Sequence, residues 1–83
     1  NEALNATLLA HRLTGERRYE RWFERILAWS LARFPDRKFG EWFGYLHRDG
    51  SVSHDLKGNL WKGPFHLPRQ QLACHLMLAE SLR

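Results

Sequence analysis

The segment from residue 35 to 67 most constrains the fold of this 83-residue chain, because it separates stretches with helical periodicity. It holds five of the six glycines and two of the three prolines, which disfavour regular helix. Asp49-Gly50 lies between two short apolar stretches and predicts a tight turn, so we expect a short β-hairpin here. A non-helical segment of this length is uncommon in a helical unit unless it is functional.

The residues before this segment predict two helices joined by a tight turn. Residues 2–14 carry leucines and alanines at helical spacing with few charges, and Gly15 is suited to a left-handed helix cap. A second, amphipathic helix is expected from about Glu16 to Phe34, where Pro35 stops it. The pattern indicates an αα-hairpin with an apolar inner helix and a charged outer helix. We expect one face of the second helix to comprise Tyr19, Trp22, Phe23, Ile26, Leu27 and Ser30.

A third helix is predicted to start at Pro68 and run to the end of the chain. It has no predicted neighbour, and the chain begins at Asn1 without a methionine. Eleven aromatic residues also need more core than a domain of this size supplies easily. We therefore expect a piece of a larger protein, in which the single cysteine, Cys74, is a buried apolar residue.

The net charge of +4 comes from residues 12–38, where arginines alternate with glutamates. Pairs such as Arg17–Glu20 and Arg21–Glu24 are expected to face each other one turn apart. Interleaved charges are typical of a solvated outer face, whereas a phosphate-binding stripe lacks acidic partners. We therefore expect no nucleic-acid partner. No apolar run approaches the ~20 residues of a membrane span, so no membrane partner is expected either.

The stretch from residue 61 to 69 combines aromatic, basic and histidine side chains where the long segment meets a helix. Helix N-termini favour anions and developing oxyanions, and histidine exchanges protons near neutral pH. His66 is therefore the candidate catalytic residue, against the ordinary alternative of a surface or hydrogen-bonded histidine. Glu2 either compensates a helix dipole or points into a pocket at the same end of the bundle.

The other histidines predict no site. His47 and His54 flank the turn, and no carboxylate lies four residues from His75 on its helix. Zinc sites need three or four clustered ligands, so we expect no metal. The sequence also has no glycine-rich phosphate loop, and no cofactor is expected.

Six stretches resemble, in order, the C-terminal region of the N-acylglucosamine 2-epimerase family. They are residues 1–4, 12–15, 41–46, 48–50, 56–59 and 61–69. The most specific is Lys-Gly-Pro-Phe-His-Leu-Pro-Arg at residues 62–69, and cellobiose 2-epimerases and aldose–ketose isomerases end this loop similarly. The resemblance implies an all-α fold, an (α/α)₆ toroid of which residues 1–83 are the C-terminal part without an internal boundary.

The resemblance also implies a reaction in which two histidines on opposite faces of an open-chain sugar invert its C2 through an enediolate. His66 matches one of them, and nothing here matches the other or its nearby glutamate. Trp61 is expected either to stack on the sugar or to pack within the loop, and the two roles are given equal weight. Arg69 and Glu2 are expected to bind substrate, whereas Trp42 and Phe43 are expected to be core residues.

Two other readings stay open beside this one. A member of the same fold could bind carbohydrate or protein without turnover, and a stand-alone basic interaction module would also fit the composition. The resemblance leaves the sugar open, a monosaccharide or a disaccharide, and does not separate a 2-epimerase from an aldose–ketose isomerase. The other expected partner is the remainder of the toroid; a homodimer is left open, and the expected location is the cytoplasm.

Overall fold

Three helices form the part of the chain, residues 1–82, that this computed structural model describes. They are α1 (Glu2–Thr14), α2 (Arg17–Arg33) and α3 (His66–Ser81). Residues 34–65 contribute no sheet within the described range, where the pairing is limited to two isolated antiparallel bridges. The predicted all-α fold is confirmed, and so are the first two helices, to within one residue at each end.

The turn between α1 and α2 is the predicted one. Gly15 adopts the left-handed conformation at φ 71°, and its N–H donates to the carbonyl of His11 at 2.7 Å. A residue with a Cβ is strained at such an angle, which explains glycine at this position. Helix α1 packs against both α2 and α3, so it is the central helix of the three, in agreement with its apolar sequence.

The core lies where the three helices meet. Leu4 and Leu8 of α1, Phe23 of α2 and Cys74 of α3 are its buried members. The partly buried Ile26, Leu27 and Met77 pack against them. The burial of Cys74 is as predicted, and its Sγ donates to Asn5 Oδ1 at 3.2 Å.

The expected apolar face of α2 is not buried throughout. Trp22 is 53% exposed, and the guanidinium of Arg25 lies 5.3 Å from its ring centroid. Arg17–Glu20 and Arg21–Glu24, expected to face each other on α2, form no ion pairs within residues 1–82. Arg18 instead bonds Glu16 at 3.2 Å, and Arg12 of α1 bonds Glu80 of α3 at 2.5 Å.

Replacing Leu4 by alanine is expected to lower the free energy of unfolding of the whole protein by about 2–5 kcal/mol, because Leu4 is completely buried and the substitution leaves a cavity. Leu4→Met conserves the volume and is expected to cost less than about 1.5 kcal/mol. Denaturant unfolding of both variants checks this. Equal losses would contradict the central position assigned to Leu4.

The predicted β-hairpin is present only as a turn with one bridge pair, Leu46–Val52. The turn itself is as expected: Gly50 has φ 92°, and the Asp49 carboxylate accepts from the N–H of Ser51 at 2.9 Å. No ladder continues from it within the described segment, because the preceding residues bond elsewhere. The N–H of Phe43 donates to the carbonyl of Phe34 at 2.9 Å.

None of the helices in residues 1–82 has the length and hydropathy needed to cross a bilayer.

Candidate functional site

The N-termini of α1 and α3 lie side by side and bring three charged or titratable residues together. Glu2 is the first residue of α1 and His66 the first of α3. His66 Nδ1 lies 2.9 Å from Glu2 Oε1, and an Arg69 Nη donates to the same oxygen. Residues 64 positions apart thus form one hydrogen-bonded group, the Glu2–His66–Arg69 cluster.

Helix α3 starts at His66, two residues before the predicted start at Pro68. Proline is compatible with this position, because N–H groups of the first helical turn have no intrahelical acceptor. The earlier start places both His66 and Arg69 on α3. Residues 66 and 69 are one helical turn apart and therefore share a face, so His66 and Arg69 can reach the same carboxylate oxygen.

Phe65 supports both of these side chains. Its ring makes an edge contact with the His66 imidazole at a centroid separation of 4.9 Å, and the Arg69 guanidinium lies 4.5 Å above the Phe65 ring. An arginine over an aromatic face is a favourable cation–π contact. Sequence reasoning assigned no role to Phe65; the spacing of residues 65, 66 and 69 across a helix start is the signal that could have identified it.

Glu2 is ionised in this cluster. Hydrogen bonds from His66 and then from Arg69 hold the pKa of the Glu2 carboxyl below its ordinary value, and partial desolvation opposes them. Each bond favours the charged form of the carboxyl group, since an ionised carboxylate is purely an acceptor.

The charge of Glu2 determines which imidazole nitrogen is available. Because the Glu2 carboxylate accepts, His66 Nδ1 must carry the hydrogen of their 2.9 Å bond. In a neutral imidazole the other nitrogen, Nε2, is then unprotonated and can accept a proton. The cluster therefore holds His66 in the tautomer that a general base requires.

An open cleft of about 470 Å³ lies beside the cluster. Glu2 and His66 line it, together with Trp61. The other lining residues are Asn1, Ala3, Ser30, Phe34, Trp42, Phe43, Gly44, Tyr45 and Lys62. A concave surface with aromatic walls and a few polar groups at one end is the usual form of a small-molecule site.

One wall of the cleft is built from stacked aromatic residues. The rings of Phe34 and Trp42 are stacked at a centroid distance of 5.9 Å, and Trp29 meets Phe34 edge-on at 6.0 Å. Trp42 and Phe43, expected to be core residues, are instead half-buried and also line the cleft. Trp61 is 82% exposed at the rim.

The segment that carries Trp61 is tied to the turn that follows Pro35. Lys57 Nζ donates to Asp36 Oδ2 at 2.6 Å and to the carbonyl of Gly40 at 2.8 Å. Asp36 Oδ1 in turn accepts from the backbone N–H groups of Lys38 and Phe39, at 2.9 and 3.2 Å. The bond from Lys57, followed by these backbone bonds, lowers the pKa of the Asp36 carboxyl.

We expect Asp36 to make the thermal stability of the protein depend on pH below about 4. A carboxyl whose pKa is depressed by folding contributes fully above the ordinary aspartate pKa of about 3.9, and the contribution is lost as the pH falls through the depressed value. The Tm of wild type should therefore exceed that of Asp36→Asn at pH 6, and the gap should narrow below pH of about 4. Thermal melts at several pH values measure it. A gap that widens on acidification would contradict the assignment.

The sequence-predicted site residues are brought together. Glu2, His66 and Arg69 share hydrogen bonds, and Trp61 lines the same cleft as Glu2 and His66. Sequence reasoning missed Phe65 and the cleft-lining residues Ser30, Tyr45 and Lys62. For Tyr45 and Lys62 the signal was weak, since aromatic and basic residues are common throughout the non-helical segment.

Comparisons with known proteins identify the family of the chain. Residues 1–66 match the family model described as N-acylglucosamine 2-epimerase (GlcNAc 2-epimerase). The chain is 42% identical to the N-acylglucosamine 2-epimerase of Bos taurus over 82 residues, which are 99% of the chain and 19% of that protein. It is 38% identical to the N-acylglucosamine 2-epimerase of Homo sapiens, with the same coverage, and 34% identical to that of Mus musculus, over 100% of the chain and 20% of the relative.

The chain thus spans about a fifth of the length of the curated relatives it matches. The range matched by the family model covers the positions of Glu2 and His66, the first residues of α1 and α3. On this similarity, the chain belongs to the N-acylglucosamine 2-epimerase family.

Proposed function

We propose that this chain is the C-terminal part of a sugar 2-epimerase, and that His66 is one of its two catalytic acid–base residues. The observation that carries the proposal is the Glu2–His66–Arg69 cluster at the end of an aromatic cleft. Family membership adds the class of reaction, because the relatives' name gives C2 of an N-acylglucosamine as the reacting carbon.

Residues 1–83 are proposed to form one continuous part of a single (α/α)₆ toroid. In support, α1 is covered by helices on two sides, as an inner-ring helix would be. Helix α3 leaves Leu72, Leu76 and Leu78 between 42 and 60% exposed, which is apolar surface that a neighbouring helix would bury. The shared length of about a fifth of the relatives fits a few helices of such a ring.

In the proposed reaction, Nε2 of His66 exchanges a proton with C2 of the open-chain sugar. Removal of that proton leaves an enolate, which is an enediolate where C2 carries a hydroxyl, with the negative charge on the former aldehyde oxygen. A proton is then added to the opposite face of C2, which inverts its configuration. Nε2 must lie within hydrogen-bond reach of the hydrogen on C2. His66 lines the wall of the cleft, so a sugar bound in the cleft can reach it.

Glu2 and Arg69 are proposed to serve His66 and the substrate together. Ionised Glu2 fixes the tautomer of His66 and stabilises the imidazolium that forms when a proton is taken up. Both hydrogen bonds to Glu2 use Oε1, and Oε2 has no partner within residues 1–82, so it is available to a sugar hydroxyl. Arg69 supplies the positive charge that favours a developing oxyanion nearby.

Trp61 is proposed to stack on the apolar face of the sugar. Its ring is largely exposed at the cleft rim, which supports stacking over loop packing. An indole face offers a large, stiff apolar surface for such a contact.

The second acid–base residue is proposed to come from the rest of the toroid. A single base on one face returns the proton to the face from which it came, so it cannot invert C2 efficiently. The 83-residue chain by itself is therefore expected to be inactive. The cytoplasmic location also stays a prediction, to be tested by cell fractionation.

The proposal is tested by incubating the whole protein with N-acetylglucosamine or N-acetylmannosamine in deuterated water. We expect the C2 epimer to form with deuterium at C2, observed by NMR. In a parallel incubation with glucose or mannose, whose C2 carries a hydroxyl, a ketose with deuterium at C1 would identify an aldose–ketose isomerase instead. Binding of the sugar without exchange would identify a non-catalytic member of the fold and would contradict the proposal.

A further inference from the structure

We propose that Lys62 is a positioning residue that holds Trp61 at the rim of the cleft by bridging two backbone segments, rather than by touching the sugar. This inference rests on the proposed function, since it assumes that the cleft takes a sugar. The bridge consists of Lys62, Glu41 and Lys57, and we call it the Lys62 bridge.

Lys62 has two acceptors on separate parts of the chain. Its Nζ donates to Glu41 Oε2 at 3.1 Å and to the carbonyl of Lys57 at 2.7 Å. The Lys62 side chain is 18% exposed, although it carries a full charge. An ammonium group withdrawn from solvent in this way is held by its acceptors, so its position is well defined.

The backbone around Lys62 is arranged to accept this side chain. A Cβ added at Gly44 would lie 2.9 Å from Lys62 Cδ, which is closer than such atoms approach in proteins. Glycine at position 44 therefore gives the lysine stem its path across the cleft wall. Glu41 adopts a left-handed φ of 61°, which is unfavourable for a residue with a Cβ, and its carboxylate oxygens bond Lys62 and the N–H of Trp42.

The bridge controls Trp61 because the two residues share one tight turn. Asn59 Oδ1 accepts from the N–H groups of Trp61 and Lys62, at 2.9 and 2.8 Å. The N–H of Asn59 donates to the carbonyl of Lys62 at 2.9 Å. This turn orders its four residues as a unit, and the Lys62 side chain is what ties the unit to Glu41. Without the bridge, this turn is not tied to Glu41, and the sugar must fix the position of Trp61 relative to the cleft as it binds.

Lys62→Met in the whole protein keeps the stem and removes the charge. We expect KM for the sugar to rise about 2- to 10-fold, the affinity cost of ordering one side chain, with kcat nearly unchanged. Glu41→Gln should raise KM in the same direction, and the double variant should lose little more than either single one. Lys38→Met is the matched control and should have no effect, since Lys38 is exposed and lies outside the cleft.

The position of Trp61 is read without turnover by fluorine NMR of protein labelled with 5-fluorotryptophan. The Trp61 signal is the one missing from Trp61→Phe. We expect Lys62→Met and Glu41→Gln to shift this signal, and Lys38→Met to leave it in place. An unshifted Trp61 signal in Lys62→Met overturns the positioning role.

The kinetic pattern separates this role from direct substrate binding. If Lys62→Met raises KM while the Trp61 fluorine signal stays in place, Lys62 contacts the sugar itself and the inference is wrong. If the wild-type protein turns over no sugar, the proposed function is wrong, and the fluorine signal of Trp61 still tests the bridge.

Discussion

Replacing His66 by alanine in the whole protein is expected to reduce deuterium exchange at C2 of the sugar by about 10²- to 10⁴-fold, the usual contribution of a positioned general base. The reason is that Nε2 of His66 is the available proton acceptor in the Glu2–His66–Arg69 cluster, once Nδ1 is bonded to Glu2. The loss should appear in kcat for both directions of epimerisation, since His66 removes the C2 proton in one direction and supplies it in the other. Proton NMR of the C2 signal follows it directly.

His75→Ala is the matched control for this substitution. His75 also lies on α3, is exposed, and does not line the cleft, so its removal should leave exchange unchanged. Wild-type exchange in His66→Ala would refute the catalytic role given to His66. Loss of exchange together with a large fall in Tm would show unfolding instead, and His66→Gln, which preserves more of the side-chain volume, then decides between the two.

Replacing Glu2 by glutamine is expected to lower kcat by up to about 10⁴-fold, by analogy with the loss seen when an orienting carboxylate beside a catalytic histidine is neutralised. The amide can accept from or donate to His66 Nδ1, so it no longer selects the tautomer with a free Nε2. It also leaves Arg69 without the carboxylate charge that it bonds in the wild-type protein. Steady-state kinetics measures the effect.

The same variant distinguishes two roles of Glu2. If the carboxylate only binds the sugar through Oε2, KM rises and kcat stays near the wild-type value. If it orients His66, kcat falls while KM changes little. Glu24→Gln, an exposed glutamate on α2, is the control expected to retain activity. Unchanged kcat in Glu2→Gln would remove Glu2 from the catalytic apparatus.

The helices could be predicted because their signals are local. The leucines at helical spacing in residues 2–14, the cap at Gly15 and the stop at Pro35 each act over a few residues, and the structure places helix boundaries beside them. The exposure of Trp22 could not be predicted in this way. It depends on which part of the apolar face of α2 meets α1, and periodicity places residues 22 and 23 on adjoining parts of that face.

In the non-helical segment, the β-turn could be predicted from the sequence, but the strand pairing could not. Asp49-Gly50 carries its own conformational preference, and Gly50 does take a positive φ. The expected strands needed partners along their length, and Phe43 bonds Phe34 instead. Likewise the bonds of Lys57 to Asp36 and of Lys62 to Glu41 each join residues 21 positions apart, a distance over which side-chain pairing follows from the path of the chain.

The sequence by itself determined the family, the helical class and His66 as the candidate, because a motif such as residues 62–69 is local and its residue types limit the chemistry. It did not determine that Glu2 bonds His66. Local preferences place each of them at a helix N-terminus, but the distance between two helix ends depends on how α1 packs against α3. Only the tertiary structure decided that contact, and with it which nitrogen of His66 is available to a substrate.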